Sequence, residues 1–154
     1  LYTYFKSKED IYMAVVESEL DMLSDMMKRV AEKNISPDEK MIEMIYTRLD
    51  AVKEVVFRNG TLRANFFRDI WRVEKIRKNF DIRETELIQG ILEAGVKEGI
   101  FAMPDTEITA VVLHHALKGL EVPYIRGIMG DNISQRIKRR DNVMNLIFNG
   151  IKIK

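Results

Sequence analysis

Leu1-Tyr2-Thr3-Tyr4-Phe5-Lys6-Ser7-Lys8-Glu9-Asp10-Ile11-Tyr12-Met13-Ala14-Val15-Val16-Glu17 opens the chain and sets its reading. An aromatic-rich segment turns at Lys6-Ser7 and enters a long amphipathic helix. Ser7 is placed as an N-cap that accepts hydrogen bonds from the free amides of the first turn, and Asp10 answers it three residues on. Glu9 and Asp10 put negative charge where the helix dipole is positive. Tyr12, Val16, Leu23, Met27 and Val30 continue one apolar stripe, widened by Met13, Leu20 and Met26, so the spacing predicts a helix over about 8–33.

Further along, the chain repeats this pattern of stripes between stop signals. Asn34-Ile35-Ser36-Pro37 ends the first helix and starts a second, with Ser36 as N-cap, Pro37 at the first helical position and Glu39 completing the box. Met41, Ile45, Leu49, Val52 and Val56 carry that helix to about residue 57. Asn59-Gly60 marks a turn. Residues 61–79 read as one or two shorter helices, with a break near Trp71 or Asn79, and another helix follows over 81–98 with Ile88, Ile91, Leu92 and Val96 on its apolar side. Gly99 is its C-cap and Asp105 the next N-cap. A helix over 106–120 carries Ile108, Val112, Leu113, Leu117 and Leu120, and Pro123 stops or kinks it. A last helix runs from Asp131 or Asn132 to about Asn149. No stretch alternates polar and apolar residues as a half-buried strand does, so the expected class is all-α.

Composition narrows the function. A chain of 154 residues with 46% hydrophobic and 32% charged residues is globular and makes one natural domain. Lys and Arg number 25 against 24 Asp and Glu, a net charge of +1, without the basic surplus of a complete nucleic-acid-binding domain. Cysteine is absent, which excludes disulfides and thiolate metal sites and suits a cytoplasmic protein. A Gly-rich phosphate loop, His-Glu-x-x-His and a Ser-centred nucleophile elbow are also missing. No catalytic site, metal or cofactor is therefore expected. Carboxylates four apart, such as Glu17 and Asp21, are what a solvated helix displays.

The segment Leu1-Tyr2-Thr3-Tyr4-Phe5-Lys6-Ser7-Lys8-Glu9 resembles the junction between the DNA-reading helix and the next helix in tetracycline-repressor (TetR) family transcriptional regulators. Glu93-Ala94-Gly95-Val96-Lys97-Glu98-Gly99-Ile100-Phe101, followed by Pro104-Asp105, is similar to the link between the seventh and eighth helices of that family. The resemblance implies a TetR-like C-terminal regulatory domain, an antiparallel helical bundle whose last two helices form a four-helix bundle with their twins in a homodimer. Residues 1–6 would be the remnant of the DNA-recognition helix and 7–154 the ligand-binding and dimerisation domain. Leu1 is read as a fragment boundary, with operator DNA a partner of the full-length protein only.

Specific residues follow from the two lines together. Tyr2, Tyr4 and Lys8 are expected at the DNA backbone, through hydroxyls, an ammonium group and the amides of a helix start, while Phe5 packs the junction. Tyr46, Phe66, Phe67, Trp71 and His114 are expected to line a cavity for a hydrophobic small molecule, although such aromatic and Met-rich stripes serve equally as core. His114 and His115 diverge by about 100° on a helix and cannot share a metal. Val112, His115, Ile137, Met144, Ile147 and Phe148 are the expected dimer contacts. Lys138-Arg139-Arg140 reads as a solvated face. The expected function is a ligand-controlled transcriptional regulator, a repressor. The alternative is an all-helical protein-interaction or lipid-binding module, which leaves the Leu1–Glu9 pattern unexplained.

Overall fold

A computed structural model describes residues 8–58, 70–125, 141–142 and 145–149. It contains four long helices: α1 (Lys8–Ala31), α2 (Pro37–Arg58), α3 (Ile70–Lys97) and α4 (Thr106–Ile125). Residues 145–149 are helical as well, and no strand occurs among the described residues. The all-α expectation therefore holds. The expected turns at 1–7 and 59–60 and the candidates at 61–69 and 126–140 lie outside the described residues.

The helix ends obey the local chemistry. The Ser36 carbonyl accepts from the Lys40 amide at 2.9 Å, and α2 starts at Pro37, whose missing N–H costs nothing at a first turn. Asp105 Oδ1 accepts from the Ile108 amide at 3.0 Å and caps α4. At the end of α3, Gly99 has φ +75°, its amide donates to the Val96 carbonyl at 3.1 Å, and the Ile100 amide donates to the Gly95 carbonyl at 2.8 Å. These two bonds form a Schellman motif, and the left-handed backbone is what requires glycine at 99. Gly95 has a different task. A Cβ there would lie 2.6 Å from Phe101 Cε2, so its bare backbone gives Phe101 room to fold back.

The core forms where the stripes meet. Leu23, Met27 and Val30 of α1, Met41, Met44, Ile45 and Leu49 of α2, Phe80, Ile88, Ile91 and Leu92 of α3, and Ala110 and Leu117 of α4 make one buried cluster. Each large side chain removed from water contributes about 1.5–3 kcal/mol before entropy is counted. α3 sits centrally, packed on α1, α2 and α4.

Four expectations need correction. α3 is continuous through Asn79 and Asp81, where a helix break and restart were expected. Asn and Asp cost at most about 0.7 kcal/mol each in a helix interior, less than the burial of Phe80, 1% exposed, gains. α4 passes Leu120 and Pro123 and ends at Ile125. A proline one turn from the end deprives the helix of only one late bond. α1 stops at Ala31 instead of about 33. Finally, Met26, Val96 and Ile108 sit at the edges of their stripes and face outward.

Candidate functional site

Helices α3 and α4 are clamped by a ladder of charges. α3 carries Arg77, Asp81 and Glu84, and α4 carries His114, Lys118 and Glu121, each set spaced four and then three and so on one helical face. The helices run antiparallel, so the sets meet rung by rung. Arg77 Nη1 and Nη2 donate to Glu121 Oε2 and Oε1 at 2.8 and 2.7 Å. Lys118 Nζ donates to Asp81 Oδ2 at 3.1 Å, and His114 Nδ1 lies 2.8 Å from Glu84 Oε1. Lys118 also reaches the half-exposed Glu74 at 2.9 Å.

Arg48 of α2 joins the two ends of this ladder. Its Nε donates to Glu84 Oε2 at 2.5 Å, and its Nη2 lies 2.8 Å from Glu121 Oε1. The second contact is a close ion pair, and Arg48 Nη1 is buried without a hydrogen-bond partner. The guanidinium sits 5.9 Å from the centre of the Phe80 ring, and no part of the Arg48 side chain reaches solvent.

The six side chains close into a ring: Arg48, Glu84, His114, Asp81, Arg77, Glu121. Its two long joints both fall at Asp81 Oδ1, 3.7 Å from His114 Nε2 and 3.8 Å from Arg77 Nε. Asp81 Oδ1 and Arg77 Nε are buried and have no hydrogen-bond partner. Electrostatics favour the charged forms of Glu121 and Arg77. Burial pushes the Glu121 carboxyl upward, but Arg48 and Arg77 outweigh it and hold the group below its ordinary value. Burial likewise works against the Arg77 charge, and Glu121 reverses it, raising Arg77 above its ordinary value.

The ring absorbs one expected site residue, His114, and includes five that were not expected at a site: Arg48, Arg77, Asp81, Glu84 and Glu121. A signal existed. Arg48 stands among Ile45, Leu49 and Val52, and Glu121 beside Leu117 and Leu120, so charges of opposite sign interrupt two apolar stripes. Pairing them requires the helix register, which one sequence does not supply.

The other expected residues are distributed as follows. Lys8 is exposed at the start of α1. Tyr2, Tyr4, Phe66, Phe67, Ile137 and Met144 lie outside the described residues, and Trp71 is placed only by its backbone, in the first turn of α3. Tyr46 packs half-buried against the core. His115 is exposed where His114 is buried, yet the two rings meet edge-on with centres 5.1 Å apart.

Two further surfaces bear on function. A cleft of about 360 Å³ opens beside the α3–α4 corner, lined by Met41, Leu92, residues 100–103, Thr109, Leu113, Ile147 and Phe148. The Phe101 and Phe148 rings stack at 5.8 Å and 12° along it. Tyr46 and His114 do not line it. On the outer face of α4, Ile108, Val111 and Val112 are 62%, 41% and 60% exposed, and His115, Ala116 and Gly119 extend the same face. Among the described residues, Glu107 is an exposed charge at the start of this stripe.

No family model matches the sequence, and no curated protein matches it significantly. Solved structures do match the fold. A Clostridium perfringens protein, a candidate fatty acid metabolism regulator, superposes with a TM-score of 0.72 at 21% identity, covering 99% of this chain and 81% of its own. A TetR/AcrR-family transcriptional regulator from Thermobifida fusca superposes with a TM-score of 0.65 at 24% identity, covering 99% and 79%. The chain has the fold of these all-helical regulators. Among the described residues no helix is long and apolar enough to cross a membrane.

Proposed function

We propose that the chain is the regulatory part of a TetR-like transcriptional repressor that binds a small apolar molecule and, as a homodimer, controls operator binding in the cytoplasm. The observation that carries this reading is the likeness, over 99% of the chain, to two solved regulators. It agrees with the opening motif, which a bare helical fold does not require. In this reading residues 1–6 end a DNA-reading helix, 7–154 form the ligand-binding and dimerisation domain, and Tyr2, Tyr4 and Lys8 hold the DNA backbone.

The dimer forms through the outer face of α4 with Val112 and His115, joined by the last helix with Ile137, Met144, Ile147 and Phe148. An apolar stripe of this exposure favours burial, and a second copy offers the same stripe in return. The cleft beside the α3–α4 corner has the volume of a small-ligand site and soft, aromatic walls. Phe66, Phe67 and Trp71 stand as further proposed contacts, whereas Tyr46 and His114 stand apart from this cleft. Ligand shifts the population between two separations of the reading heads, with α1 carrying the change, so ligand and operator weaken each other reciprocally.

Lys8→Ala in the full-length protein tests the DNA side of the reading. Operator affinity should fall, and the salt dependence should become shallower by roughly one unit of slope per lost phosphate contact. Unchanged affinity and slope would remove Lys8 from the DNA surface.

A further inference from the structure

The Asp81 joint of the buried ring has chemistry that the regulatory reading does not use. Both nitrogens of the His114 ring face carboxylates: Nδ1 faces Glu84 Oε1 at 2.8 Å, and Nε2 faces Asp81 Oδ1 at 3.7 Å. A neutral imidazole has one N–H to offer, so one carboxylate would meet a bare lone pair whichever tautomer formed. Asp81 Oδ1 is buried and has no hydrogen-bond partner among the protein's atoms.

The charge balance points the same way. From α2 the ring receives Arg48, from α3 Arg77, Asp81 and Glu84, and from its own helix His114 is accompanied by Lys118, Glu121 and the exposed His115. Glu74 of α3 touches the group through Lys118. Arg48, Arg77 and Lys118 thus stand against Glu74, Asp81, Glu84 and Glu121, one cation short of balance. The other two rungs of the α3–α4 ladder each pair a cation with a carboxylate. A second hydrogen on His114 completes that pattern at the third rung.

We propose that His114 is a proton-binding site that clamps α3 to α4: the imidazolium donates to Glu84 through Nδ1 and turns its second N–H to Asp81. When the proton leaves, this joint sets acceptor against acceptor, and the clamp between the two helices slackens. The device is independent of whether the chain regulates transcription. It makes the seating of α4, and of the apolar stripe on its outer face, responsive to proton activity.

Nitrogen-15 spectra of the two histidines in the wild-type chain, followed as pH rises, test the proposal with His115 as the internal reference. The expected result is that both His114 ring nitrogens still carry hydrogens at a pH where the His115 ring has become neutral. Loss of the His114 proton together with or before that of His115 would overturn the proposal. Asp81→Asn supplies a second reading, since its amide can donate to a bare ring nitrogen. In that variant His114 should lose its proton at lower pH than in the wild type, and no difference between the two proteins would also overturn it.

Discussion

Arg77 and Glu121 meet through two parallel hydrogen bonds of 2.8 and 2.7 Å across 44 residues of chain, in a site almost closed to water. Two charges are costly to desolvate, and their attraction offsets the cost only when the geometry is good and the remaining hydrogen-bonding groups are met. Here the fork of the guanidinium matches the carboxylate, and Arg48 adds a second cation to the same Glu121 oxygen. The ring therefore does more for uniqueness of fit than for gross stability. A register slip between α3 and α4 would separate all three rungs together and leave buried charges uncompensated.

Removing one member of the ring should be more harmful than removing a matched pair. Arg48→Met leaves Glu84 buried without its arginine partner, and about 3–5 kcal/mol of unfolding free energy should be lost. Adding Glu84→Leu to Arg48→Met should restore part of that loss, with a coupling energy of about 0.5–3 kcal/mol. Urea unfolding of the two single variants and the double variant measures the cycle. Additive losses would show that the Arg48–Glu84 pair is not an energetic unit.

The acid side of the stability profile should report Glu121. Its carboxyl is held below the ordinary value of 4.5 in the folded protein, so folding favours the ionised form. The resulting stability is fully present above that ordinary value and is lost as pH falls through the lower folded one. Arg77, raised above its ordinary value, stays charged across this range and adds no slope. The unfolding free energy of the wild type should decline on acidification below about pH 4.5, and Glu121→Gln should flatten that decline. An unchanged acid slope in the variant would assign the effect to other carboxylates.

The outward stripe of α4 gives a separate test of assembly. Val112, 60% exposed in one protomer, should become buried in a dimer. Val112→Glu should then convert a dimer into a monomer in sedimentation velocity, because it sets two carboxylates in an apolar contact. The protomer itself should lose no more than about 0.5 kcal/mol, as surface changes usually do. A wild-type chain that sediments as a monomer at micromolar concentration would contradict the assembly.

Much of this architecture is legible in the residues. Asp105, Ser36-Pro37 and Gly99 announce helix ends by chemistry that acts within a few residues, and the structure places those ends where they indicate. Met27, Ile45, Ile88 and Leu117 follow one period and are buried. Asn79 and Asp81 misled because the same side chains that cap helices also sit inside one when Phe80 needs its place in the core. Arg48 and Glu121 were hidden for a related reason. A charge within an apolar stripe has no meaning until the opposite charge is found on another helix, and that pairing belongs to the tertiary fold. Ile108 falls on the apolar side by period alone and faces outward, since periodicity locates an apolar face without saying which partner covers it.

Selection of bound DNA from random or genomic fragments by the full-length protein tests the regulatory account most directly. A two-fold dimer reads two half-sites, so the expected result is enrichment of one inverted-repeat sequence with a fixed half-site spacing. Retention of DNA without any enriched sequence, or no retention at low salt, would contradict it.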